Sequence, residues 1–276
     1  MLKQRIITAF VLIVVLIWVL FTWSQPAFAV FLGAFILAGA WEWTALCGLK
    51  KLPVRLLYLA LVAAAGGVLI LTPSLTWPLM LVATLWWVWI FVELIAYPDV
   101  RRGFLASLPG KLLSGFVLLL PAWIVPLVLR AQSPQGEWLV LYLLLIVWAA
   151  DTGAYFAGHR WGKTKLAPLI SPGKTWEGVA GGLATVLVLA LAAGVYGMRY
   201  SGLWLAAWVA LALVTAFVSV LGDLFESRIK RAAGVKDSGI LFPGHGGVLD
   251  RIDAYTAAAP LFTLAWLYWS ASVGAL

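Results

Sequence analysis

Long, continuous apolar runs follow one another along almost the whole chain, separated only by short charged or Pro- and Gly-bearing stretches. That feature constrains the fold more than any other. A membrane-spanning helix needs ~20 predominantly apolar residues, and in lipid only helices and closed barrels satisfy their own backbone polar groups. Barrel strands would show segments of ~10 residues with alternating polarity. The runs here are longer and do not alternate, which selects helices. Candidate spans fall at roughly 6–23, 27–47, 54–71, 77–97, 112–130, 138–158, 178–198, 203–221 and 255–274, nine in all. The expected fold class is an all-α, polytopic integral membrane protein.

Composition agrees with that reading. Of 276 residues 64% are hydrophobic and 11% charged, with a mean hydropathy of +1.02. An average soluble domain is about half apolar and about a quarter charged. A globule this apolar could not cover its surface with polar groups, so a cytosolic enzyme, a disordered chain and a disulfide scaffold are excluded together. The single cysteine, Cys47, permits no intrachain disulfide.

The basic residues test the span count independently. With nine spans, one side holds the N-terminus and the connections after spans 2, 4, 6 and 8, which carry 17 of the 19 Lys and Arg residues. Only Arg130 and Arg199 fall on the other side. The positive-inside bias then places the N-terminus in the cytoplasm and the C-terminus outside. The formal net charge of +8 therefore reports topology, and no nucleic-acid partner is expected. Ten of the eleven acidic residues, all but Glu137, gather on the same basic side. Acidic residues do little for topology, so a site that handles metal ions and phosphates is the better cause. Glu42 and Glu93 lie inside spans 2 and 4 near their cytoplasmic ends, and their carboxylates are expected to snorkel to the interface.

Lys3 and Arg5, an apolar run, and Ala27-Phe28-Ala29 mimic a secretory signal with its cleavage site. The run is about 18 residues, longer than the 7–15 of a signal core, so the segment reads as span 1. No internal repeat is visible, which argues against a transporter built from inverted halves. Gly66-Gly67 and Gly181-Gly182 predict close helix packing.

Two polar stretches carry the chemistry: Asp151–Gly178, DTGAYFAGHRWGKTKLAPLISPGKTWEG, and Asp223–Asp253, DLFESRIKRAAGVKDSGILFPGHGGVLDRID. Both are too short to fold alone, so the site must be braced by the spans. In the second stretch Asp250 and Asp253 are three apart at the start of span 9, and Asp223 and Glu226 are three apart at the end of span 8. Such spacing puts each pair on one helical face, and antiparallel packing of the two spans would bring Asp223 and Asp250 to one depth. Mg²⁺ is held by one or two carboxylates together with substrate phosphates. Acids for the metal beside Arg228, Lys230, Arg231, Lys236 and Arg251 for phosphates suit phosphoryl transfer, where positioning and charge neutralisation provide most of the catalysis. The turn Pro243-Gly244-His245-Gly246-Gly247 lets backbone amides approach an anion, and His245 is a candidate donor to it.

In the first stretch, Gly173-Lys174-Thr175 mimics a P-loop and fails. The required upstream glycine is Pro168, and no strand precedes the motif. What survives is a turn, SPGKTWEG, in which Ser171 or Thr175 caps span 7 and Lys174 sits near its positive N-terminus. Asp151, at the end of span 6, joins the same side.

The run SRIKRAAGVKDSGILFPGHGGVLDRID, from Ser227 to Asp253, resembles over about 27 unbroken residues the signature of the phosphatidate cytidylyltransferase (CDP-diacylglycerol synthase) family. The DTGAY and SPGKTWEG segments resemble that family too. The resemblance implies a single membrane-embedded catalytic domain over residues 1–276, in which 1–100 supply N-terminal helices and 101–276 carry the site. It implies transfer of CMP from CTP to phosphatidic acid, giving CDP-diacylglycerol and pyrophosphate, with Mg²⁺ and often K⁺. By motif, Asp223 and Asp250 correspond to the family's metal ligands, with Asp253 close by. Lys230, Arg231, Lys236 and Arg251 hold the positions taken to face substrate phosphates. Asp223, Asp250, Asp253, Lys236 and Arg251 are thus the candidate catalytic set. Asp151, Ser171, Lys174, Thr175, Lys230, Arg231 and His245 are the candidate substrate-binding set. The implied setting is the cytoplasmic face of a bacterial-type inner membrane, with a homodimer as a candidate assembly. A CTP-dependent polyprenol or phytol kinase and a transporter of a phosphorylated solute are the rival readings.

Overall fold

The computed structural model describes residues 2–97, 99–132, 136–242, 244 and 246–273. Among them, nine α-helices account for the nine apolar runs: α1 (Leu2–Thr22), α2 (Gln25–Leu46), α3 (Leu52–Leu71), α4 (Thr76–Ala96), α5 (Leu108–Arg130), α6 (Gly136–Trp161), α7 (Trp176–Ala192), α8 (Gly202–Ala232) and α9 (Leu249–Val273). A short antiparallel hairpin, β1 (Lys165–Ala167) and β2 (Ser171–Thr175), joins α6 to α7. Seven helices, α2 to α8, are long and apolar enough to cross a membrane. α1 contributes a shorter apolar stretch, Ile7–Thr22, and α9 opens on a charged turn. The chain is an all-α, multi-pass membrane protein.

Prolines in the first turn of α2, α3 and α5 mark their starts, where the missing N–H would have no helical partner. Ser107 caps α5 by accepting from the Gly110 amide at 3.1 Å. α5 is the most enclosed of the candidate spans and packs against α2, α3, α4, α6 and α9. The Ala27–Ala29 segment lies inside α2, with Phe28 fully buried in the core. Gly181 and Gly182 of α7 meet Ala157 and the Ala150 carbonyl of α6, as close packing requires. Gly66 lies against the Trp123 ring, whereas Gly67 faces open space.

Helix ends depart from the apolar runs where polar faces find partners. α8 continues to Ala232 instead of stopping near 221, because Asp223, Glu226 and Lys230 share a face that α9 covers. Gly234, with φ of +73°, ends it, and the Val235 amide returns to the Lys230 carbonyl at 3.0 Å. α9 begins at Leu249, ahead of the apolar run at 255 and where the shared face of Asp250 and Asp253 requires it. α6 runs on to Trp161, so Asp151 sits within the helix and not at its end. Ser171–Thr175, read from sequence as a turn, is a strand, paired Lys165 with Thr175 and Ala167 with Ser171. Two such strands are marginal alone, and here β2 rests on α7 and α8.

Contacts sort the helix ends into two groups. The C-terminal ends of α2 and α8 meet the start of α9 through Glu42 and Lys230, Arg228 ties the end of α4 to α8, and the hairpin joins α8 through Lys174. At the other end, Arg130 pairs with Glu137 at 3.3 Å and donates to the Trp23 carbonyl. One of the two basic residues on the sparsely charged side therefore has a structural partner.

Candidate active site

Helix crossing creates the site. At Gly222 of α8 an added Cβ would collide with the Asp253 carbonyl of α9, so the two backbones approach there as only glycine allows. That contact sets Asp223 and Glu226 of α8 opposite Asp253 of α9. The carboxyls of Glu226 and Asp253 lie close enough to interact, and Asp253 also lies within electrostatic reach of Asp223. One turn further along α8, Lys230 reaches Asp250 Oδ1 at 2.6 Å and Glu226 Oε1 at 3.3 Å. Asp223 and Asp250 thus occupy the same end of adjacent helices. They are linked through Asp253, Glu226 and Lys230, each aspartate with its own lysine.

Asp223 faces a cleft of about 570 Å³ between α6, α7, α8 and β2, lined also by Asp151, Lys174 and Thr175. Lys174 Nζ pairs with Asp223 Oδ2 at 2.6 Å, and Ser227 Oγ donates to Oδ1 at 3.2 Å. Thr175 is the α7 cap, its Oγ1 accepting from the Gly178 amide at 3.1 Å. Glu177 closes the hairpin by accepting from the Thr164 amide at 3.1 Å. The strand holds Lys174 and its neighbouring cap in fixed register, which a free turn would not do.

A second cavity, an apolar groove of about 320 Å³, runs among α1, α2, α5, α6 and α9. Phe28, Phe35 and Leu144 are among its walls, and Asp151, Asp250, Arg251 and Asp253 stand at its polar end. Asp151 lines both cleft and groove.

Asp250 itself is tightly held. Its Oδ2 accepts from the amides of Ser238 and Gly247, both at 2.8 Å, and from Ser238 Oγ at 2.9 Å. Of the remaining sequence candidates, Ser171 belongs to the hairpin pairing, Arg231 turns back to the Val235 carbonyl, and Lys236 is exposed on the loop, outside the linings of cleft and groove. His245 and Pro243 lie outside the described residues.

Two acids behave differently from expectation. Glu42 and Glu93 do not snorkel; both are buried. Glu42 accepts from the amides of Val248 and Leu249, and Glu93 Oε1 from the Leu105 amide at 3.3 Å. Backbone donors replace the water that a snorkelling carboxylate would seek. Arg228, 1% exposed, is a structural clamp as well: it donates to the carbonyls of Glu93 at 3.2 Å and Arg102 at 2.6 Å. The signal for Glu42 was visible as an acid inside a span, where an ionisable group is expensive enough to imply a partner. The partner was not visible.

The described cavity linings present carboxylates, hydroxyls and backbone groups, the hard oxygen donors that suit Mg²⁺. Glu226 is 2% exposed, and its Oε2 has no hydrogen-bond donor although it contacts another carboxyl. A buried carboxyl with an unpartnered oxygen, set beside the half-buried Asp253, is a place where a cation fits. Among the described residues no three His, Cys, Asp or Glu side chains form a ready-made cage, which also agrees with a metal held partly by substrate phosphates.

Helices of membrane-crossing length, with acids and lysines converging on a cleft at one of their ends, define a membrane-embedded protein with a polar site. Residues 3–269 match the model of the cytidylyltransferase family, and the chain belongs to that family. It is 46% identical over 275 residues to a phosphatidate cytidylyltransferase of Pseudomonas aeruginosa, covering 100% of both chains. It is 40% identical over 293 residues to one of Haemophilus influenzae, covering 97% of this chain and 99% of that one. A Brucella suis relative of the same name is 38% identical over 273 residues, covering 95% of this chain and 92% of its own.

Proposed function

We propose that the chain transfers CMP from CTP to phosphatidic acid, releasing pyrophosphate, and so makes CDP-diacylglycerol for phospholipid synthesis. The observation that carries this reading is the junction at Asp151. There a charged cleft suited to phosphates meets an apolar groove suited to acyl chains. Full-length relatives named phosphatidate cytidylyltransferase support it.

In the reaction, a phosphate oxygen of phosphatidate attacks the α-phosphorus of CTP. A new P–O bond forms, and the bond from the α-phosphorus to the bridging oxygen breaks, releasing pyrophosphate. The second pKa of a phosphate monoester is about 6, so the nucleophile is already ionised near neutral pH and needs no strong base. Lys174, at the N-terminal end of α7, binds a nucleotide phosphate. Arg251, where the groove becomes polar, holds the phosphatidate headgroup against it. Asp223 and Asp250 are the proposed holders of Mg²⁺, with Asp253 and Glu226 beside them. When bound, Mg²⁺ would supply neutralisation of phosphate charge. The site faces the cytoplasm of an inner membrane, as the segregation of Lys and Arg argues.

The test uses purified full-length protein, labelled CTP and phosphatidic acid in mixed micelles. Pyrophosphate and a labelled liponucleotide are expected in equal amounts, lost with EDTA and restored by Mg²⁺. Release of CDP with a phosphorylated lipid would instead establish a kinase, and solute counterflow without CTP consumption a transporter.

A further inference from the structure

We infer that Glu42 is a positioning residue for this reaction: it sets the register of Ser238 and of the α9 N-terminus, and through them the direction of Asp250. The inference rests on the cytidylyl-transfer reading for its kinetic consequence, though not for its structural one.

Glu42 belongs to α2, far from the signature in sequence, and is 8% exposed. Its Oε1 accepts from the Val248 amide at 3.0 Å, and its Oε2 accepts from the Leu249 amide and from Ser238 Oγ, each at 3.0 Å. Val248 and Leu249 stand at the start of α9, where backbone donors have no helical acceptor. A carboxylate there is favoured by the partial positive charge of the helix N-terminus. Among the described residues Glu42 has no ion-pair partner, so these N–H and O–H donors carry its compensation.

Ser238 connects that carboxylate to Asp250. Its Oγ lies 3.0 Å from Glu42 Oε2 and 2.9 Å from Asp250 Oδ2, while accepting from the Asp250 amide at 3.3 Å. A hydroxyl has one proton, so Ser238 donates to one carboxylate at a time and ties the two together. The loop is shaped to admit this clamp: a Cβ at Gly247 would collide with both Glu42 carboxylate oxygens. Glu42 thus fixes both flanks of the loop that delivers Asp250, once at Ser238 and once at Val248–Leu249. An acid present only for stability could sit against any buried donors. Among the described residues, this one takes its donors only from the segment that orients a proposed metal ligand.

The experiment compares Glu42→Gln, Glu42→Asp and Ser238→Ala with wild type, as purified full-length protein. Backbone hydrogen exchange is read over 237–250, and kcat and CTP KM are measured. For Glu42→Gln the expected result is exchange at Val248 and Leu249 about tenfold faster, with protection in α5 and α8 unchanged. With it, kcat should fall ~10–100-fold, as a misplacement on the order of 1 Å can cause, and CTP KM should stay within about threefold. Glu42→Asp keeps the charge and should fall between. Unchanged exchange at Val248 and Leu249, a wild-type kcat, or a loss of protection spread evenly over the protein would each overturn the inference. If Glu42→Gln does not accumulate folded, Ser238→Ala decides: faster exchange confined to the loop with lowered kcat supports the clamp, and wild-type behaviour removes it. Exchange changes as expected in a protein that transfers no CMP would retire the reaction and leave the clamp standing.

Discussion

Two lysines hold two aspartates at the same distance, 2.6 Å, in different surroundings. Lys230, its side chain 11% exposed, lies among Glu226, Asp250 and Asp253, and removing it would leave Glu226 buried without a counter-charge. Lys230→Ala is expected to lose ~3–5 kcal/mol of stability, the usual result of breaking a buried ion pair, seen as a large fall in Tm in detergent. Lys174, 24% exposed, faces the cleft, paired with Asp223 and near Asp151. Its pair should contribute only ~0–1 kcal/mol. Lys174→Ala should therefore leave Tm almost unchanged while kcat for CMP transfer falls ~10²-fold, the scale of losing one preorganised electrostatic contact. Equal loss of Tm in both variants would show that Lys174 is a structural counter-ion.

Among elements, the α8–α9 pair governs the site. Gly222 lets the helices touch at Asp253, and the extension of α8 to Ala232 carries Asp223, Glu226 and Lys230 past the point where the apolar run ends. Gly222→Ala would force a Cβ against the Asp253 carbonyl and separate the acids on the two helices. Overpacking of that kind costs ~1–3 kcal/mol, so a Tm several degrees lower is expected, together with a loss of activity greater than the lost folded fraction. A variant as stable and active as wild type would show that the helices can part without harm. The hairpin makes a related point. SPGKT has poor strand propensity, with Pro and Gly in five residues, yet it pairs because α7 and α8 support it. Sequence could place Lys174 near a helix start and select Thr175 as a possible cap. It could not show the strand that aims Lys174 at Asp223.

For the molecule as a whole, the prediction is topological. In a Cys47→Ala background, a cysteine replacing Lys236 should label from the cytoplasmic side and one replacing Arg199 from the opposite side, using a membrane-impermeant thiol reagent on oriented vesicles. Labelling of both from one side would break the alternation on which the span count depends. The junction of cleft and groove also belongs to this scale, because α1, α2, α5, α6, α7, α8 and α9 all contribute walls to it. Of the N-terminal helices, α1 and α2 are therefore part of the groove wall and not only a membrane anchor.

Much of this was open to a reader of residues alone. Nine apolar runs set nine helices, and the gathering of Lys, Arg, Asp and Glu at alternate connections marked the end where the acids and lysines converge. Hydrophobic length and charge asymmetry are properties of the chain taken in order, and lipid enforces them locally. The spacing of Asp223 with Glu226 and of Asp250 with Asp253 was likewise readable, since a helical face follows from three-residue separation. Tertiary structure decided what those faces meet. Lys174 reached Asp223, Lys230 reached Asp250, and Glu42, expected to lean toward water, found three donors some 200 residues further along the chain. Such partnerships depend on which backbones can approach and which buried donors lack acceptors, and a linear pattern carries neither quantity.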